Sequence, residues 1–262
     1  MPILRRSSKK NAPRLPDGLR IYAVPDIHGT DTALVDALAR IDADAARHPS
    51  ARTVQIFLGD YVDRGPANRE VLDRYEIAFR ENPEAAKDAR FRIEHAQHLH
   101  PDDIGRFGKL GVIPAMQAIH LSSDRPWAID RLGKQRIEEG AYVWRKLLES
   151  GARIVNGSDV PVEPINPIAS FYASVTRKTL KGQPEGGYEP DQKMTREEAL
   201  RSYTLDAAYG AFEENQKGSI RTGKLADFTI FDRDIISVPE DQLLQTRVTM
   251  TILGGKVVYE LR

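Results

Sequence analysis

The sequence has no cysteine. That absence excludes a disulfide scaffold, thiolate zinc sites and a cysteine nucleophile. It also lacks an excess of charge: 38 Lys plus Arg balance 38 Asp plus Glu. A neutral chain gives no support to nucleic-acid binding through phosphate neutralisation. No apolar run approaches the roughly 18 residues of a membrane span, so no membrane partner is expected. The opening MPILRRSSKKNAPRLPDG is basic and proline-rich, without the apolar stretch of a signal peptide. Residues 1–19 are therefore expected to form a disordered basic leader, with a basic docking arm as the alternative, and the cytoplasm is the expected location. There is no Walker loop and no dinucleotide fingerprint. Gly157-Ser158-Asp159 lacks the second glycine of a serine elbow.

What is present is an ordinary globular composition, 262 residues with 40% hydrophobic and 29% charged types. A chain of this length buries about 70–75% of its extended surface and forms one large domain or one domain with an appendage. Arg20 to Val24 reads as a strand closed by Pro25 and Gly29. Leu34, Leu38 and Ile41 recur at helical spacing within a helix from Asp31 to Ala46, and Thr53 to Gly59 is a continuous apolar strand of the kind found inside parallel sheets. These three make a βαβ unit. The alternation continues with a helix Asn68–Asn82, a strand Phe91–His95, a helix Pro101–Leu110, a strand Gly111–Met116, a helix Gln135–Ser150, a strand Arg153–Val155 and a helix Asn166–Thr176. Lys181 to Lys193 is a Gly/Pro-rich loop. Thr195 and Glu198 form a capping box opening a helix that reaches about Glu213. After Gly218 the pattern changes to short strands, Asp227–Phe231, Val248–Leu253 and Lys256–Tyr259, around a Gly254-Gly255 hairpin turn. The fold class is thus α/β: a partial (β/α) barrel or an open, mostly parallel sheet with flanking helices, plus a small C-terminal antiparallel appendage.

In such folds ligands bind beyond the carboxyl ends of the strands, and polar residues gather there. Asp26 and His28 follow the first strand, Asp60 and Asp63 the second; His95 ends the third, His120 follows the fourth and Asp159 the fifth. Carboxylates and imidazoles hold divalent metals without cysteine. A metal at these ends would polarise a carbonyl or phosphoryl oxygen and activate water. Each residue also has a plainer reading. Asp26, His28 and Asp60 sit in tight turns that favour acids for conformational reasons. His95 reads equally as a satisfied buried histidine and Asp159 as a turn cap. Arg64 reads as an anion clamp, a surface residue or a carboxylate partner. His98 and His100 read as surface residues and His48 as structural. Trp127, Trp144, Tyr142 and Phe171 read as packing residues, with a substrate-pocket role as the alternative for Trp127.

Residues 20–65, with PDIHG and the complete GDYVDRG, resemble the start of calcineurin-like metallophosphoesterases. That resemblance implies Asp26 and His28 on one metal, Asp60 bridging two, and Arg64 on phosphate. Pro25 stands where glycine is usual, and the later G-N-H-E motif is absent. Residues 66–262 resemble the C-terminal part of an amidohydrolase, the family-3 branch typified by N-substituted formamide deformylase. The matching stretches include ANREVLDRYE, RFRIEHAQHLHPDDIGRFGKLGVIPAMQAIH, GAYVWRKLLESGARIVNGSDVPVEPINP, MTREEALRSYTLDAAYGAFEE and KGSIRTGKLADFTIFDRD. This resemblance implies His95 and His120 as metal ligands and Asp159 as the aspartate that orients or deprotonates the attacking water. The paired H-x-H of that superfamily's first strand is absent.

Together the two resemblances describe a mosaic joined around Gly59 to Pro66: a phosphoesterase-like unit 20–65, amidohydrolase-like βα units 66–215 and a β-sandwich remnant 216–262. The leading functional expectation is a metal-dependent hydrolase of a non-peptide C–N bond, with Asp159 and Arg64 as catalytic residues and His95, His120, Asp26, His28 and Asp60 as metal ligands. Zinc is the leading ion, ahead of manganese and iron. The alternatives are a phosphoesterase at Asp26, His28 and Asp60, and a chain that keeps its fold without chemistry. The expected partner is a small amide or phosphate ester, and open sheet edges leave room for a homo-oligomer.

Overall fold

The computed structural model of the protein describes residues 18–24, 30–50, 52–57, 68–81, 88 and 90–262. The first unit is strand β1 (Leu19–Val24), helix α1 (Asp31–Arg47) and strand β2 (Arg52–Phe57). β1 and β2 pair in parallel from Leu19↔Arg52 to Val24↔Phe57, so the predicted βαβ unit is present. Leu34 and Ile41 turn α1 into the core, as their spacing requires. Helix α2 (Asn68–Glu81) follows. It is tied to α1 by Arg74, whose Nη2 donates to Asp31 Oδ2 at 2.7 Å.

The site is built on a second parallel sheet of β3 (Arg92–Glu94), β4 (Ile113–Met116) and β5 (Val155–Asn156), paired through Ile93↔Pro114 and Ala115↔Val155. Strand alternation gives this sheet two apolar faces. Ile93, Met116 and the adjoining Ile154 enter the main core. Ile113, Ala115 and Val155 form a smaller cluster under Tyr209. Helix α3 (Pro101–Leu110) crosses between β3 and β4. His100 caps its start by accepting from the Asp102 amide, and Gly111 closes it in the left-handed conformation, φ 66°.

Two predicted helices are broken, and one helix was not expected. Residues 135–150 do not run as one helix: α5 (Lys134–Gly140) stops and α6 (Trp144–Glu149) restarts. Between them Ala141 bridges to His98, and the Tyr142 amide donates to the Gln97 carbonyl at 2.7 Å. Tertiary hydrogen bonds therefore replace helical ones at that point. Likewise the helix opened by the Thr195 capping box ends at Tyr203. It divides at Thr204 into α8 (Arg196–Tyr203) and α9 (Leu205–Gly210). Helix α4 (Ile119–Leu132), with Pro126 in its interior, occupies a stretch whose Ser122-Ser123-Asp124 read as a polar loop. Helix α7 (Pro167–Thr176) is present as predicted, with Asn166 serving as its N-cap and not as its first residue.

The C-terminal strands β6 (Phe228–Phe231), β7 (Val248–Leu253) and β8 (Lys256–Glu260) form the antiparallel appendage. Gly254 and Gly255, at φ 56° and 79°, make its hairpin turn, a conformation side chains disfavour. The architecture is an open, mostly parallel α/β arrangement with flanking helices. Among the described residues no barrel closes. Also among these residues, no helix is long and apolar enough to cross a membrane.

Candidate metal centre

At the carboxyl edge of β3–β4–β5, three predicted site residues come together. His95 follows the last residue of β3. Asp159 lies three residues beyond β5 in the Gly157-Ser158-Asp159 turn. His120 comes from the first turn of α4, immediately after β4. One ligand atom from each lies within 4.8 Å of the others. His120 Nε2 is 3.3 Å from Asp159 Oδ2, His95 Nε2 is 3.9 Å from the same oxygen, and the two rings stack 5.6 Å apart.

The backbone is shaped for this convergence. His95 and Asp159 both hold left-handed conformations, φ 51° and 57°. Non-glycine residues pay about 1 kcal/mol or more to do so, and such strain gathers at functional positions. The Asp159 carbonyl accepts the amides of Val162 at 2.8 Å and Glu163 at 3.3 Å, closing a turn over the site. Beneath it, the Ser170 hydroxyl accepts the Ile119 amide at 3.2 Å and the Tyr203 hydroxyl at 2.5 Å. The residue preceding His120 is thereby fixed to α7 and α8.

His120 is buried, and its two ring nitrogens have different surroundings. Nδ1 stands 3.2 Å from Gln97 Oε1, an acceptor that requires the proton on Nδ1. Nε2 then carries the lone pair. It is shut away from solvent and has no hydrogen-bond partner, since Asp159 lies near it without hydrogen-bond alignment. Burial pushes the His120 pKa down, and His95 adds to this. The carboxylates of Asp124, Asp159 and Glu163 oppose it. A buried, correctly oriented lone pair beside a carboxylate and a second imidazole is a donor set compatible with a divalent metal.

Gln97 and Glu163 were not singled out by sequence reasoning. Gln97 lies two residues after His95 in HAQHLH, and only this proximity marked it. Glu163 carried no such mark. His98, read as a surface residue, is half-buried, with its ring edge-on to Tyr142 at 5.3 Å. His100 is exposed, as expected, and caps α3. Tyr142, Trp144 and Phe171 are buried, but Trp127 is 51% exposed and packs into no core. Asp26, His28, Asp60 and Arg64 lie outside the described residues.

The sequence model of the amidohydrolase family matches residues 26–259. The chain belongs to the amidohydrolase family. That single match begins inside PDIHG, at Asp26, and runs through GDYVDRG. It overturns the reading of residues 20–65 as a calcineurin-like phosphoesterase unit, and with it the mosaic of two families. The protein LONG AFTER FAR-RED 3 of Arabidopsis thaliana is 35% identical over 201 residues, covering 74% of this chain and 32% of that protein. N-substituted formamide deformylase of Arthrobacter pascens is 29% identical over 191 residues, 72% of this chain and 34% of the enzyme. An uncharacterized metal-dependent hydrolase from Pyrococcus horikoshii OT3 superposes with a TM-score of 0.56 at 27% identity, covering 79% of this chain and 38% of that one. The amidohydrolase chain thus spans about a third of the length of these two curated relatives.

Proposed function

We propose that this amidohydrolase chain carries part of a metal-dependent hydrolase centre acting on the C–N bond of a small amide, with His95 and His120 as imidazole ligands and Asp159 as the carboxylate. The observation that carries the reading is the buried, unpartnered Nε2 of His120 beside Asp159 and His95. Two imidazoles and a carboxylate suit zinc, which keeps an open position when the protein offers three donors. A divalent ion held there supplies Lewis acidity toward the carbonyl and activates water near neutral pH.

The chain's own residues do the rest. Gln97 keeps the His120 proton on Nδ1 and so presents Nε2 to the site. Asp159, with its carboxylate aimed between the two imidazoles, accepts a proton from the attacking water. It returns that proton to the leaving nitrogen as the C–N bond breaks, so a carboxylic acid and an amine result.

The test begins with metal. Chelator-stripped protein titrated with zinc or manganese should take up close to one ion, and His95→Ala and His120→Ala should each abolish tight uptake. Hydrolysis of an N-formyl amine should then require both the ion and Asp159. Absence of stoichiometric metal in the wild-type protein would overturn the proposal.

A further inference from the structure

A closed ring of contacts joins the two halves of the centre. The Ser123 hydroxyl, one turn beyond His120 on α4, donates to the Glu163 carboxylate and lies 3.4 Å from the His120 carbonyl. Glu163 belongs to the turn after β5, and its amide, with that of Val162, donates to the Asp159 carbonyl. The Asp159 carboxylate completes the ring 3.3 Å from His120 Nε2. His120 and Asp159 thus face one another through their side chains and are tied again through Ser123 and Glu163.

We propose that Ser123 and Glu163 form a clasp that positions Asp159 against His120, setting how tightly the centre holds a divalent ion. The physical need is specific. Asp159 sits in the left-handed region, φ 57°, in an irregular turn with no strand or helix holding it. Released from the clasp, that turn has extended alternatives of lower backbone energy, and a change of backbone angles at Asp159 redirects its carboxylate. The Ser123–Glu163 hydrogen bond, charge-assisted though solvent-exposed, links this turn to α4 across 40 residues of sequence. Val162 is 73% exposed, so apolar packing does not hold the turn down. Ser123 and Glu163 are positioning residues, because neither belongs to the group of ligand atoms that His95, His120 and Asp159 form.

The inference rests on the metal reading above, and its test separates the two. Ser123→Ala, Glu163→Ala, their double variant and Ser123→Thr are compared with wild type in two measurements. Zinc affinity is read by chelator competition. Amide hydrogen exchange of the peptide spanning Asp159–Glu163 is read in metal-free protein. Each single variant should weaken zinc about tenfold and speed exchange at Val162 and Glu163. The double variant should lose no more than the worse single variant, because both remove one contact. Ser123→Thr, which keeps the hydroxyl, should restore both readouts.

If wild type binds zinc and the single variants bind it equally well, or if their losses add, the clasp is overturned and the metal centre stands. If wild type binds no zinc, the metal reading falls and the clasp's part in affinity falls with it. Faster exchange in the variants would then still show that Ser123 and Glu163 hold the Asp159 turn, and unchanged exchange would dispose of that as well.

Discussion

Gln97 Oε1 lies 3.2 Å from His120 Nδ1 and so decides which nitrogen of His120 faces Asp159. A histidine that meets a metal through one nitrogen is oriented by what its other nitrogen meets. Replacing Gln97 by Leu preserves bulk and removes the acceptor. Zinc affinity should fall by about 10- to 100-fold while the thermal midpoint changes little. Competition with a chromogenic chelator measures this. An unchanged affinity would show that packing alone orients His120.

Asp159 has two separable properties, its charge and its backbone. Asparagine tolerates the left-handed conformation, so Asp159→Asn should fold normally. Turnover of an N-formyl amine should fall by about 10²- to 10⁴-fold, the usual loss when a general base is removed. Asp159→Val should additionally lower the unfolding midpoint, since a β-branched residue is strained at φ 57°. Steady-state kinetics and thermal unfolding of the two variants distinguish these effects.

Gly140 marks where α5 must stop. A Cβ built there would lie 1.9 Å from the Leu99 carbonyl oxygen, a backbone atom that cannot swing aside. Leu99 in turn donates its amide to the Gly140 carbonyl at 2.8 Å. Gly140→Ala should destabilise the protein by about 2–4 kcal/mol, in the range of overpacked and broken buried contacts. Denaturant unfolding measures it, and a loss below about 0.5 kcal/mol, typical of surface sites, would contradict the close approach.

Glu198 yields a pH prediction. The Arg145 guanidinium, its Nη1 donating at 2.8 Å, holds the Glu198 carboxyl below its ordinary value, and the Thr195 cap adds to this. A lowered folded-state pKa means the stabilisation is complete above the unfolded value of about 4.3. It is lost as pH falls from there through the folded value. Glu198→Gln should therefore lower the midpoint at pH 7 by about 2–4 °C, equivalent to roughly 1 kcal/mol in a chain of this size. The gap to wild type should narrow as the buffer is taken toward pH 3. A gap independent of pH would place the effect in packing.

Much of the scaffold was legible because its signals are local. The Thr195–Glu198 capping box and the Gly254-Gly255 turn each act over a few residues, and each appears where its sequence places it. The helix between Ile119 and Leu132 was not legible. Its Ser-Ser-Asp reads as a polar loop, and its amide at Ile119 is instead satisfied by Ser170, a residue 51 positions away. The breaks at Ala141–Val143 and Thr204 were hidden for a similar reason. Periodicity continued across them, and only contact with the chain after β3 interrupts the first.

The candidate centre divides along the same line. His95, His120 and Asp159 were recognisable as the polar residues that follow successive strands, a one-dimensional property of the βα alternation. Gln97 and the Ser123–Glu163 pair were not, because a side chain that orients another leaves no periodic trace. The sequence by itself determined the α/β class, the absence of thiol chemistry and which imidazoles and carboxylate stand at strand ends. Only the tertiary structure decided that β3, β4 and β5 lie side by side, so that residues up to 64 positions apart meet within 4.8 Å. Register and proximity are set by long-range pairing and packing, and no short stretch of chain encodes them.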